Sequence, residues 1–147
     1  MNSLIKRTCT VIMLITLLTA CGNSGQEHID ENLPLEQQVD RLIENNSYTT
    51  ALNILAQYDR ENPEIKVLLE KTHLNYGLHS MHTFDQTEMR TRMNNALVQF
   101  TEVLKLNPNN VVAREQIEQI LMIYSTIPNR EPDPDVIEAL REVGVEY

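Results

Sequence analysis

The segment ALVQFTEVLKLNP, residues 96–108, decides the fold of this chain because its pattern occurs twice. Upstream, residues 51–63 read ALNILAQYDRENP. Both segments begin with Ala-Leu and end with Asn-Pro, and a large apolar residue, Leu55 or Phe100, follows the alanine by four positions. This pattern predicts a helix with a small residue at a close crossing, a bulky residue one turn later, and a proline that ends it. The recurrence indicates a fold built from repeated helical units.

The composition is that of one modest helical domain. The 147 residues are 41% hydrophobic, include no tryptophan and only four glycines, and carry a net charge of -9. A single α-rich domain is the natural expectation for a chain of this length and composition.

The N-terminal segment has the order of parts found in a secretion signal. Lys6 and Arg7 precede the run CTVIMLITLLTA, residues 9–20, which is broken only by threonines and ends in small residues. A membrane-spanning helix needs about 20 apolar residues, so this run is too short to span. Its length and flanks match the hydrophobic region of a signal peptide, which we predict over residues 1–20.

The signal segment ends at a motif that resembles a bacterial lipobox. Leu18, Thr19 and Ala20 precede Cys21, and in lipoproteins the cysteine at this position is lipidated and becomes the new N-terminus. The resemblance implies a diacylglyceryl thioether on Cys21 and an N-linked acyl group such as palmitate. Several acyl chains, at about 0.8 kcal/mol per buried CH₂, make release from the membrane negligible. The alternative is a buried helix of a soluble protein that contains a cysteine by chance.

The same resemblance implies a location in the cell envelope. In Gram-negative lipoproteins, an aspartate after the lipidated cysteine commonly means retention at the inner membrane, and Gly22 stands at this position. We therefore expect the outer membrane, with the domain facing the periplasm, if the organism is Gram-negative.

Cleavage of residues 1–20 would change both thiol content and charge. Cys9 would be removed and Cys21 blocked, which leaves no free thiol and no disulfide. Two basic residues would leave with no acidic one, so the net charge becomes -11. Such a body repels nucleic acid and anionic lipid head groups and favours basic partners. Residues 21–32 are polar and include His28, and we interpret them as the lipidated cysteine with a flexible linker.

Residues 33–147 carry the helical pattern. Apolar spacing predicts a helix from Leu35, with further helices at residues 48–58, 65–82, about 88–106 and 111–127, and a last one after Asp133 and Pro134. Ala51, Leu52, Ile54, Leu55 and Tyr58 are expected on the buried side of the second helix, and Ala96 and Phe100 on the inward side of the fourth. Asp133 is expected to cap the last helix with its side chain.

The two repeated segments resemble the second helix of a tetratricopeptide repeat, in which the small residue, the aromatic and the terminal proline keep the same spacing. Counted in 34-residue repeats, the first unit covers residues 32–65. The resemblance implies an all-α fold of antiparallel helical hairpins, with about two and a half repeats and a C-terminal capping helix.

Two departures from the repeat pattern fall in the second unit. His73 occupies the position usually held by Gly or Ala. The alanine expected at position 85 appears as Ala96, so the unit carries an 11-residue insertion. Eleven residues is about three helical turns. Either both helices of this hairpin are longer, or the hairpin has a long loop, and residues 83–87 form the turn in either case.

Signals for catalysis are few, and we predict no catalytic residue, no cofactor and no metal site. The sequence has no Gly-rich phosphate loop, GxSxG or HExxH motif. His79 and His82 are one turn apart with Asp85 and Glu88 nearby, so a surface metal site is geometrically possible. A metal-assisted envelope hydrolase using His73, His79 and His82 is therefore one alternative function.

One row of acidic residues differs from the other surface carboxylates in its spacing. Glu36, Asp40 and Glu44 follow one another at four-residue spacing on the first helix. The tetratricopeptide register implies that these positions line the concave side, continued by Glu70 and Glu115. The apolar neighbours expected beside the row are Ile43, Leu74, Leu78, Met122 and Ile123.

A surface of mixed acidic and aliphatic character suits a basic, partly apolar peptide segment. We therefore predict an adapter that binds an envelope protein and does not bind nucleic acid. An equally weighted alternative is that the acidic residues only keep a tethered protein soluble. A third alternative is a structural lipoprotein that associates with itself.

Four tyrosines are expected in packing roles rather than in ligand stacking: Tyr48, Tyr58, Tyr76 and Tyr124.

Overall fold

The computed structural model describes residues 32–83 and 87–147, and these residues form six α-helices without a strand. The helices are α1 (Leu35–Glu44), α2 (Tyr48–Leu55), α3 (Pro63–His82), α4 (Met89–Leu106), α5 (Val111–Thr126) and α6 (Pro134–Glu142). The all-α prediction is confirmed. The predicted signal peptide, the lipobox with Cys21, and the linker up to residue 31 lie outside the described residues.

Asparagine side chains start two of the helices. The Asn62 side chain accepts a hydrogen bond from the Glu64 backbone N–H at 2.9 Å, with Pro63 in the first turn of α3. The Asn110 side chain accepts from the Ala113 N–H at 2.8 Å at the start of α5. Each side chain thereby satisfies a backbone donor that has no partner within the helix.

Helix α2 is shorter than the sequence pattern predicts. It ends at Leu55, and the next backbone bonds run from Gln57 N to Ile54 O and from Tyr58 N to Leu55 O. These bonds span three residues rather than four, so the chain tightens and leaves the helical register. The prediction that Tyr58 lies on the buried side is wrong, because 49% of this residue is exposed.

The start of α6 also differs from the prediction. Asp133 precedes the helix but makes no side-chain cap. Its carboxylate instead pairs with Arg90 at 2.6 Å, and its backbone N–H donates to Asn94 Oδ1 at 3.1 Å. The ion pair draws the carboxylate toward α4, away from the helix end that it would have capped.

Both helices of the second hairpin are longer than those of the first. Helix α3 has 20 residues and α4 has 18, whereas α1 and α2 have 10 and 8. Contacts between α3 and α4 run in opposite order along the two helices, from Glu70 with Asn107 to Ser80 with Asn95. The pair is therefore an antiparallel hairpin, as the lengthened-helix alternative predicts.

Two helices organise the packing. Helix α3 packs against α1, α2 and α4, and α4 packs against α3, α5 and α6. The four residues of the repeated pattern, Ala51, Leu55, Ala96 and Phe100, are buried as predicted. Burial of a side chain such as Phe100 contributes about 1.5–3 kcal/mol. Within the described ranges, no helix combines the length and the apolar character needed to cross a membrane.

Candidate functional site

The acidic row of α1 lies outside the buried face of the helix. Val39 and Leu42 are the buried residues of α1. Glu36 and Glu44 are exposed. Asp40 is half-buried, and its Oδ1 atom lies 2.5 Å from Nζ of Lys71 on α3. Two carboxylates of the row therefore face solvent, and the middle one has a partner within the chain.

The ion pair between Asp40 and Lys71 joins α1 to the helix that carries Leu74 and Leu78. Leu74 and Leu78 follow Lys71 by three and seven positions, which places them on the same helix face. Both leucines are half-buried and pack against the core formed by α4, α5 and α6. Ile43, near the end of α1, is also half-buried. Carboxylates and aliphatic side chains thus lie on neighbouring helices.

Glu70 has a connecting role within the fold. Its Oε1 atom accepts hydrogen bonds from Nδ2 of Asn107 at 2.8 Å and from Nδ2 of Asn110 at 2.7 Å. The two asparagines lie in the turn between α4 and α5, so one carboxylate ties this turn to α3. A hydrogen bond to a charged acceptor contributes about 1.5–3 kcal/mol.

The sequence-derived residues of α5 do not all face outward. Glu115 is exposed, and Met122 is 63% exposed. Ile123, expected in an apolar surface patch, is half-buried and packs against the core. Helix α5 packs on α4, so the contacts that place α1 beside α3 do not extend to Glu115.

The three histidines of α3 make separate contacts. His73 Nδ1 lies 2.7 Å from Gln99 Oε1, and His82 Nδ1 lies 2.8 Å from the Leu78 carbonyl oxygen. The His79 ring packs at a tilt on Tyr48, with ring centroids 5.4 Å apart. In residues 32–83 and 87–147, no three His, Cys, Asp or Glu side chains could together hold a metal ion. Asp85, the nearby carboxylate of the metal hypothesis, lies outside these ranges.

The pKa values of His73 and Glu102 are both lower than their ordinary values, for different reasons. Burial lowers the pKa of His73; the Gln99 bond and the Glu102 charge oppose this effect, while Arg60 adds to it. Burial by itself would raise the pKa of Glu102. Hydrogen bonds from Arg60 at 2.9 Å and Lys105 at 3.1 Å outweigh it, so the pKa of Glu102 is below its ordinary value.

A chain of polar side chains crosses the interface of α3 and α4. From His73 it passes to Gln99, whose Nε2 donates to Asn95 Oδ1 at 3.2 Å, and Asn95 Nδ2 donates to Ser80 Oγ at 2.7 Å. The sequence pattern did not predict this series of hydrogen-bonded side chains. Asn95 and Gln99 are four residues apart on α4, which is the one local signal that could have indicated it.

An open groove of about 450 Å³ adjoins these hydrogen-bonded side chains near the turn of the long hairpin. It is bordered by Tyr76 and Ser80 of α3, by Glu88, and by Thr91, Arg92 and Asn95 of α4. The sequence analysis placed no site here, because these residues are spread over two helices and share no motif.

Comparison with known proteins does not assign this chain to a family. A scan against protein-family models, a search of curated proteins and a search of solved structures each found no match to this chain. What the described residues establish is an all-α protein whose six helices pack against one another.

Proposed function

We propose that this protein is a lipid-anchored adapter of the bacterial cell envelope with a tetratricopeptide-like helical domain. The observation that supports the adapter role is the ion pair of Asp40 and Lys71, because it joins the helix of the acidic row to the helix that carries Leu74 and Leu78. A surface with carboxylates on one side and aliphatic groups on the other is suited to a basic, partly apolar segment.

Charge favours the same class of partner. The net charge of the chain is -9, and it becomes -11 if residues 1–20 are removed. A field of this sign speeds encounter with a basic protein segment and opposes adsorption to nucleic acid or anionic lipid. Attachment to the membrane then has to come from a lipid on Cys21, followed by the polar linker. The proposed location is the outer membrane, facing the periplasm, in a Gram-negative cell.

The binding face comprises Glu36, Asp40, Ile43, Glu44, Glu70, Leu74 and Leu78, with Glu115 as a more distant member. Glu36 and Glu44 are exposed, so they can meet a basic partner directly. Asp40 already pairs with Lys71, which partly offsets its charge. Glu70 contributes negative charge to the face while it keeps its two asparagine contacts.

The test is crosslinking in intact membranes, with a photoreactive amino acid at position 43 of the full-length protein. The yield of crosslinked partner should fall by about tenfold or more in a Glu36→Lys, Glu44→Lys variant. The matched control is Glu131→Lys with Glu146→Lys, which makes the same change in net charge at exposed positions beside α6. It should capture the partner normally.

Equal loss in the two double variants would reduce the effect to overall charge and contradict a specific face. Capture of a second copy of this chain alone would favour the self-associating structural role. Capture that persists in the Glu36→Lys, Glu44→Lys variant would remove the acidic row from the binding site.

A further inference from the structure

The groove near the turn of the α3–α4 hairpin has the size of a small-molecule site. Its volume of about 450 Å³ lies within the range of about 300–1,000 Å³ typical of ligand pockets. Tyr76 and Ser80 form one side, and Thr91 and Asn95 form the other. The groove lies beyond the acidic row and uses none of its residues.

Two polar side chains of the groove, Ser80 and Asn95, are held by hydrogen bonds. Ser80 is only 1% exposed, and its Oγ accepts the hydrogen bond from Asn95 Nδ2 at 2.7 Å. Asn95 is held in turn by Gln99, which contacts His73. Every buried side-chain nitrogen and oxygen of the described residues has a hydrogen-bond partner. A satisfied buried network of this kind rigidifies the side chains at its end.

The aromatic ring of the groove is also held. Tyr76 stacks on Tyr48, with ring centroids 5.0 Å apart and planes 9° from parallel. Tyr48 itself is buried at the start of α2. The Tyr76 ring is thus kept at the groove wall by a second helix, which reduces the conformational entropy that a ligand would have to remove.

The charges of the groove cancel. Arg92 Nε lies 2.9 Å from Glu88 Oε2, one helical turn away. The Glu88 carboxylate offsets the charge of the Arg92 guanidinium, so the groove attracts phosphate or carboxylate groups less than an isolated cation would. A wholly apolar ligand would give no hydrogen bond to the Thr91 hydroxyl or to the second N–H and second lone pair of the Asn95 amide, which the bonds to Ser80 and Gln99 do not use. The lining therefore favours a neutral ligand with many hydrogen-bonding groups.

We infer that this groove is a binding site for a neutral, hydroxyl-rich ring compound, that is, a carbohydrate. A sugar ring offers an apolar C–H face to the Tyr76 ring and hydroxyl groups to Thr91 and Asn95. The site is independent of the proposed adapter role, since it shares no residue with the acidic row. The long hairpin formed by the 11-residue insertion carries both walls of the groove.

The test is saturation-transfer NMR on the full-length protein in a detergent without a sugar head group. The probes are glucose, N-acetylglucosamine and their β-1,4-linked dimers, with the acyclic polyol mannitol for comparison. We expect transfer to the ring protons of at least one sugar and none to mannitol. Thr91→Val, which keeps the shape but removes the hydroxyl, and Tyr76→Leu should each weaken binding by about three- to tenfold.

Tyr58→Leu is the matched control, because Tyr58 is exposed and lies outside the groove. It should bind the sugar as the parent does. If loss of the Tyr48 stack unfolds the Tyr76→Leu variant, Thr91→Val still tests the site. Thr91 is exposed, so its substitution should not disturb the fold. Absence of transfer to every sugar, transfer to mannitol equal to that to the sugars, or binding unchanged in Thr91→Val would overturn the assignment.

Discussion

A Cβ atom added to Gly77 would lie 2.5 Å from Cε1 of Phe100, and 2.8 and 2.9 Å from two further atoms of the same ring. Gly77 is buried in α3, and Phe100 is 0% exposed in α4. The absent side chain at position 77 is therefore what lets the aromatic ring of the repeated segment reach the α3 backbone. Counting in 34-residue repeats assigns the position of the small residue to His73. In the structure the two helices approach closely at Gly77, one turn later.

Gly77→Ala should lower the free energy of unfolding by about 1–3 kcal/mol, because the added methyl group would overlap a ring that has no free space to move into. Helix propensity alone would act in the other direction, by up to about 1 kcal/mol. Urea denaturation of parent and variant measures the difference. Phe100→Leu in the Gly77→Ala background should recover part of the loss, and a Gly77→Ala variant as stable as the parent would contradict the overlap.

His73 should make the fold less stable as the pH falls below about 6.5. Burial lowers the pKa of His73 in the folded state below its ordinary value of 6.5. The unfolded chain therefore binds more protons in this interval, and stability rises with pH. The contribution is complete above pH 6.5 and is lost as the pH falls from there through the folded-state pKa.

Denaturation curves between pH 5 and 7.5 test this dependence. His73→Asn, which can still contact Gln99, should flatten it. His82→Asn, at an exposed position of the same helix, should leave the slope of the parent unchanged. An identical slope in His73→Asn would assign the dependence to other groups.

Asn94 should be a sensitive position for stability. Its buried Oδ1 accepts from the Tyr124 hydroxyl at 3.4 Å and from the Asp133 N–H at 3.1 Å, so it joins α4 to α5 and to the start of α6. Asn94→Ala would leave these donors unpaired and should lower the free energy of unfolding by about 1–3 kcal/mol. Tyr124→Phe removes only the longer bond and should cost about 0.5–1 kcal/mol. A larger effect for Tyr124→Phe than for Asn94→Ala would reverse this ranking.

Cys21 provides a direct test of the proposed anchor. Mass spectrometry of the protein from membranes should show an N-terminal residue 21 that carries acyl chains. Cys21→Ser should lack the added mass and leave the membrane fraction, because serine has no thiol to form the thioether of the proposed anchor. Retention of an unmodified Cys21→Ser protein in the membrane would require another means of attachment.

Much of the fold followed from local pattern. Burial of Ala51, Leu55, Ala96 and Phe100 was predicted from their spacing, since a residue's position on a helix face depends only on its neighbours in the chain. Tyr58 was misplaced because the helix tightens after Leu55, which the apolar spacing does not reveal.

The candidate sites were less accessible to prediction. The acidic row of Glu36, Asp40 and Glu44 was visible as a spacing, but its pairing with Lys71 was not. The metal hypothesis rested on histidines that share a helix, and each makes a separate contact in the structure. The carbohydrate groove carried no sequence signal, because its walls come from opposite sides of a hairpin turn.

The sequence by itself determined the helical class, the approximate helix spans and the small-and-bulky pattern of the two repeated segments. These depend on periodicity and helix-ending residues within short stretches of chain. The tertiary structure decided that the second hairpin has two long helices, that Gly77 leaves room for Phe100, and that Asp40 meets Lys71 across a separation of 31 residues. Such contacts depend on how helices approach one another in space, and a contact between residues far apart in the chain leaves no local periodicity to read.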